Sequence, residues 1–121
     1  MTRSKELGDA GERVAEQYLR AEGFEILDRN WRSGRYELDI VARRDGRLHL
    51  VEVKCRRKGS LTPPEQGLTP AKRRTLLAAG AVYMDSIGTE AEVQTDLIAV
   101  EAAPDGDFEV RYIPEAVIAR W

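Results

Sequence analysis

In Glu37-Leu38-Asp39-Ile40-Val41 and again in Val51-Glu52-Val53-Lys54, ionisable side chains stand two apart inside apolar runs. Short apolar runs of this kind predict strands, whose side chains alternate between faces. Glu37 and Asp39 then share one face of their strand, and Glu52 and Lys54 share one face of theirs. Neighbouring strands lie about 4.8 Å apart, so carboxylates on matching faces can share a cation held at about 2.1 Å. Gathering three carboxylates and an ammonium on an apolar sheet costs desolvation energy, and a divalent ion would offset it. Oxygen ligands favour Mg²⁺ or Mn²⁺, and one cysteine with one histidine makes no zinc set. Beside such an ion, Lys54 could polarise a water or neutralise charge building on a phosphate, which is phosphodiester chemistry. It could equally form salt bridges with Glu52 or Asp39, and an acid-x-Lys triplet arises by chance about once in a chain of this size. His49 points away from Glu52 by alternation, so a structural or surface role is expected for it.

The elements that must position these residues are legible around them. Leu7, Ala10, Val14, Ala15, Tyr18 and Leu19 recur at helical spacing up to Gly23, predicting an amphipathic helix over 6–22. Phe24–Trp31 reads as a first strand, Arg35–Arg43 as a second and Arg47–Cys55 as a third, with Asp45-Gly46 as the hairpin turn between the last two. Arg57–Leu68 is rich in Gly, Pro and Ser and reads as a loop. Thr69-Pro70 marks a helix start, with threonine as N-cap and proline where its missing N–H costs nothing. That helix carries Leu76, Leu77, Gly80, Tyr83, Met84 and Ile87 on its apolar stripe. Val93–Glu101 and Phe108–Ile113 follow as strands, and the tail from Pro114 to Trp121 reads as a short helix packing Val117, Ile118 and Trp121. The resulting fold class is α/β: order α-β-β-β-α-β-β, an antiparallel meander extended by a helical crossover into a central mixed sheet flanked by helices.

At 121 residues the chain predicts a single domain spanning 1–121. A lone cysteine, Cys55, makes no intrachain disulfide, no apolar segment follows the first charged residues, and the longest apolar run, Leu76–Met84, is far short of the about 20 residues of a span. A cytoplasmic protein without a membrane partner is expected. The net charge is −2, yet the stretch from Arg43 to Arg74 holds ten basic and three acidic residues, leaving the remainder at −9. One basic surface on an acidic body suits a polyanion, although arginines that are merely solvated and partly paired would give the same composition. No nucleotide-binding glycine fingerprint or nucleophile motif is present.

The spread Asp39…Glu52-Val53-Lys54 resembles the PD-(D/E)xK active site of the restriction-endonuclease-like fold. Gly11-Glu12, Ala15, Tyr18-Leu19, Gly23-Phe24, Asn30-Trp31-Arg32, Glu37 to Ala42, Val51 to Lys54, Lys72 and Asp96 to Val100 together resemble the YraN-like family of small bacterial proteins, which are similar to Holliday-junction resolvases. The resemblance implies a restriction-endonuclease-like nuclease domain with Asp39 and Glu52 as metal ligands, the Val53 carbonyl as a third, Glu12 completing the site and Lys54 as the catalytic lysine. It departs from the family at Tyr36, where glycine is usual, and at Cys55, where threonine is common; no proline precedes Asp39. The expectation is therefore a Mg²⁺- or Mn²⁺-dependent endonuclease acting on DNA, branched or junction DNA included. Arg56, Arg57, Lys58 and the loop to Leu68 would hold phosphates, joined by Lys72, Arg73 and Arg74 at a helix N-terminus. A two-fold symmetric junction would suit a homodimer. The alternative is a non-catalytic nucleic-acid-binding or scaffold domain that keeps the fold.

Overall fold

The apolar segments pair as their turns dictate. A computed structural model describes residues 2–59 and 69–115, with side chains from Leu7 onward. The elements are α1 (Thr2–Ala21), β1 (Glu25–Ser33), β2 (Tyr36–Arg44), β3 (Arg47–Arg57), α2 (Pro70–Ile87), β4 (Glu92–Ala102) and β5 (Phe108–Ile113). This is the expected order of the restriction-endonuclease-like arrangement, although α1 begins at Thr2 rather than Glu6. The helix expected near Val117, Ile118 and Trp121, and most of the loop from Arg57 to Leu68, lie outside the described residues.

The five strands form one sheet in the order β1-β2-β3-β4-β5. The β3–β4 pair is parallel and the others are antiparallel, so α2 is the crossover that returns the chain to β4. The hairpin between β2 and β3 turns through Asp45 and Gly46, both at positive φ (54° and 74°), as a tight two-residue turn requires. Thr69 caps α2 by accepting a hydrogen bond from the Lys72 N–H at 3.2 Å, and Gly88 ends the helix in the left-handed region at φ 69°.

Each face of the sheet carries one helix. Ala15, Leu19 and Phe24 pack with Ile40, Ala42, Val51, Ile98 and Val100 on the α1 side. Leu76, Ala79 and Tyr83 pack with Leu38, Val41, Leu48, Leu50 and Leu97 on the α2 side. Covered on both faces, β3 and β4 are buried almost continuously through their middles. Both helices approach β3 through a glycine. A Cβ on Gly11 would lie 2.7 Å from the Cys55 Sγ, and one on Gly80 would lie 2.6 Å from a Leu50 methyl. The first of these contacts brings the neighbouring Glu12 close to the middle of β3.

Candidate active site

The ladder between β2 and β3 stops at the pair Ile40–Val51, while β2 stays paired with β1 as far as Tyr36. Strict alternation fails at the same level. Leu38 joins Val41 on the α2 side, whereas Ile40 and Ala42 lie on the α1 side. Across β1, Asn30 falls between the partners of Ile40 and Leu38 and adopts a left-handed conformation with φ 50°, which asparagine tolerates better than most residues. The distortion therefore crosses β1 and β2 on one line and opens β2 away from β3.

Asp39 fills the opening. Its Oδ2 accepts a hydrogen bond from the Val53 N–H at 2.9 Å, where a ladder carbonyl would otherwise sit. In an extended strand a residue's N–H and C=O point the same way, so the Val53 carbonyl also faces the gap. Beside it, Glu52 is only 6% exposed. Its Oε2 lies 3.7 Å from the Lys54 Nζ and 3.3 Å from the Lys72 Nζ, the latter arriving from the first turn of α2. Burial pushes the Asp39 carboxyl up to about 7; the charge of Glu52 adds to this and the Val53 N–H opposes it. Burial also raises Glu12, against a hydrogen bond from the Asn30 side chain, with the charges of Asp9 and Glu52 contributing.

Asp39, Glu52, Lys54 and Val53 are therefore brought together as expected. Glu37 is not: its carboxylate turns to Arg32 at 3.0 Å and is 58% exposed. Period-two alternation misplaced it because the strand is distorted at Asp39. Glu12 stands within electrostatic reach of the pair but is engaged by Asn30. Among the described residues no cluster of three or more His, Cys, Asp or Glu side chains is close enough to hold a metal. The smaller set still fits a hard divalent cation. Two adjacent carboxylates, with a backbone carbonyl beside them, are the donors Mg²⁺ uses when waters and substrate phosphates complete its shell.

The basic residues divide. Lys54, Arg56 and Arg57 line one cavity of about 360 Å³ together with Glu12 and Val53. Arg56 donates to the Cys55 carbonyl at 3.0 Å, and Lys58 pairs with Glu109 of β5 at 3.3 Å. Lys72 reaches from the first turn of α2 to Glu52. Arg73 lines a separate cavity with Gln94, Thr95 and Glu115, and Arg74 is exposed on α2. His49 faces away from Glu52 as expected, buried, with its Nδ1 2.7 Å from Asp96 Oδ2. Burial raises the Cys55 thiol above its ordinary range, which removes it as a ready nucleophile. Two residues of the site were not assigned these roles from sequence: Asn30, whose presence inside a strand was the only local signal, and Lys72 as a partner of Glu52, a contact across 20 positions that no local pattern encodes.

Residues 11–100 match the family described as uncharacterised protein family UPF0102. A UPF0102 protein of Bacteroides thetaiotaomicron is 41% identical over 117 residues, covering 96% of this chain and 95% of that protein. One from Bacteroides fragilis is 39% identical over 110 residues (91% and 90%), and one from Symbiobacterium thermophilum is 37% identical over 114 residues (93% and 97%). With a match over most of its length and relatives alike from end to end, the chain belongs to the UPF0102 family, the YraN-like proteins that its motifs resemble.

Proposed function

We propose that the protein is a divalent-metal-dependent endonuclease that hydrolyses phosphodiester bonds of DNA, branched or junction DNA included. The observation that carries this reading is the meeting of Asp39, Glu52, Lys54 and Lys72 at the opening between β2 and β3, with Lys54 also lining a cavity shared with Arg56 and Arg57. Mg²⁺ or Mn²⁺ held by Asp39, Glu52 and the Val53 carbonyl would supply a Lewis acid and a more acidic water. Glu52 keeps two lysines at the mouth of the site. Lys54, which also lines the cavity, orients an attacking water or donates to a phosphate oxygen as negative charge builds there. Arg56 and Arg57 hold the flanking phosphates and set the register of the strand. Action on DNA would place the protein in the cytoplasm, and a four-way junction would suit a homodimer. No described helix is long and apolar enough to cross a membrane.

A second reading, a nucleic-acid-binding or scaffold domain without turnover, is favoured by one observation: Glu52 is already held by two lysines. One experiment separates the two. The purified protein is incubated with Mg²⁺ or Mn²⁺ and duplex, single-stranded or four-way-junction DNA, alongside Asp39→Ala and Glu52→Ala. Cleavage that both variants lose supports the endonuclease. Binding without cleavage of any substrate supports the second reading, and equal cleavage by the variants assigns the activity to a contaminant.

A further inference from the structure

The sheet holds a second buried polar centre, on its α1 side and about 10 Å along β3 from Glu52. Asp96 of β4 is fully buried yet accepts four hydrogen bonds: from His49 Nδ1 at 2.7 Å, Tyr112 Oη at 2.7 Å, Gln94 Nε2 at 2.9 Å and the Glu115 N–H at 3.0 Å. With its negative charge spent on those donors, Asp96 fixes the histidine tautomer. A carboxylate only accepts, so Nδ1 carries a proton, and Nε2 takes no part in that contact. The ring is held edge-on by Phe24, 4.9 Å between centroids.

His49 lines a cavity of about 310 Å³, shared with Arg44, Asp45, Arg47, Gln94 and Tyr112. Both arginines are fixed from behind. The Arg44 guanidinium lies 3.9 Å over the Phe24 ring and donates to the Glu22 carbonyl at 3.0 Å. Arg47 donates to Gln94 at 2.9 Å and to Glu92 at 2.9 Å. A guanidinium has five N–H donors, so each keeps some for a ligand. Among the described residues lining the cavity the acid is Asp45, 3.9 Å from the Arg44 guanidinium and 94% exposed at the hairpin turn, where water screens it.

The geometry points to a phosphate-binding site in this cavity, separate from the Asp39–Glu52 pair, with Arg44 and Arg47 supplying charge and His49 the hydrogen-bonding anchor. A tetrahedral oxyanion matches two forked donors. The imidazole Nε2, the ring nitrogen not engaged by Asp96, supplies the hydrogen bond to the phosphate. The groups facing His49 are Asp96 from β4, Tyr112 from β5, Phe24 ahead of β1, and Arg44, Asp45 and Arg47 from the β2–β3 hairpin. Nothing in this site requires turnover at Asp39.

His49 is the sole histidine, so its ring nitrogens give one clean NMR reporter. Inorganic phosphate is titrated into the full chain at constant ionic strength, with chloride as the balancing anion. The free protein should show an Nδ1-protonated imidazole, and phosphate should move its signals saturably. Arg44→Gln/Arg47→Gln should weaken that response at least about tenfold, while thermal melting verifies that the variant is folded; Arg47→Gln alone serves if it is not. Asp39→Asn should respond like the wild type, which keeps this result distinct from the fate of the cleavage reading. Duplexes with and without a 5′-phosphate identify the source: a response to both assigns backbone diesters, a response to the phosphorylated one assigns a terminal phosphate, and a response to inorganic phosphate alone assigns a small phosphate ligand. No saturable shift with any of these probes, or an equal response in the arginine variants, overturns the proposal.

Discussion

Asp39→Asn should stabilise the metal-free protein at pH 8 and leave its stability nearly unchanged at pH 4. Folding lifts Asp39 from 3.8 to about 7, first through burial and then through the charge of Glu52, against the single N–H of Val53. Between those two values the folded state binds the proton and the unfolded state has released it. Stability therefore falls as pH rises from about 4 to about 7, and the penalty is complete by pH 8. At about 1.4 kcal/mol per pH unit, the gap amounts to about 4 kcal/mol. Asparagine keeps an acceptor for the Val53 N–H, offers Glu52 an amide donor and carries no charge. Allowing for imperfect geometry of the new contacts, the expected gain at pH 8 is about 2–4 kcal/mol, or roughly 10 °C in Tm for a chain of this size. Thermal melts with a chelator at pH 4, 6 and 8 measure it directly. Adding Mg²⁺ at pH 8 should then stabilise the wild type and not the variant, because only the folded wild type offers the paired carboxylates. A variant no more stable than the wild type at pH 8, or a gain that does not shrink towards pH 4, would refute the assignment of Asp39 as a carboxylate burdened by its fold.

Three further outcomes follow from the geometry. Lys72→Gln leaves Glu52 with Lys54 alone, so cleavage should fall about 10²-fold with duplex affinity nearly unchanged; a matching loss of affinity would return Lys72 to the role of a phosphate grip. Arg56→Ala/Arg57→Ala should reduce the slope of log affinity against log salt by about 2, read by fluorescence anisotropy, and an unchanged slope would remove both from the nucleic-acid surface. Gly11→Ala sets a methyl 2.7 Å from the Cys55 Sγ and 2.9 Å from its Cβ, which cannot rotate aside. Overpacking of about 1–3 kcal/mol should outweigh the helical preference for alanine and lower the urea midpoint; an equal or higher midpoint would show that α1 can shift.

The elements were legible because each is specified locally. Thr69-Pro70 starts α2 and Asp45-Gly46 turns the hairpin as read from sequence, and β5 runs from Phe108 to Ile113 as expected. The meeting of Asp39 and Glu52 was legible for the same reason, since a short hairpin determines which side chains of β2 and β3 can meet. What escaped is what alternation cannot encode. Glu37 was placed on the face of Asp39 by a rule that holds for an undistorted strand, and Asn30 with Asp39 marks where the strand departs from it. Lys72 reaches Glu52, and His49 reaches Asp96, through the β3–α2–β4 crossover, which joins positions with no periodic relation.

The contrast between two buried aspartates gives the opening at Asp39 its meaning. For Asp96, burial pushes the carboxyl up, but the His49 bond, the Glu115 N–H, Tyr112 and Gln94 together outweigh it and hold the group below its ordinary range. The same sheet therefore supplies a buried carboxylate with four donors where the chain requires a settled charge. Asp39 receives one backbone donor and is set against a second acid. Poor solvation of Asp39 is thus not a limit of the fold; it is confined to the line where β2 leaves β3. An ion pair with Lys54 or Lys72 relieves Glu52 and leaves Asp39 strained, since neither lysine is bonded to it. A cation bound by both carboxylates would relieve them together. That asymmetry is the ground for expecting a cation there, and the Mg²⁺ arm of the Asp39→Asn melt measures it apart from any cleavage.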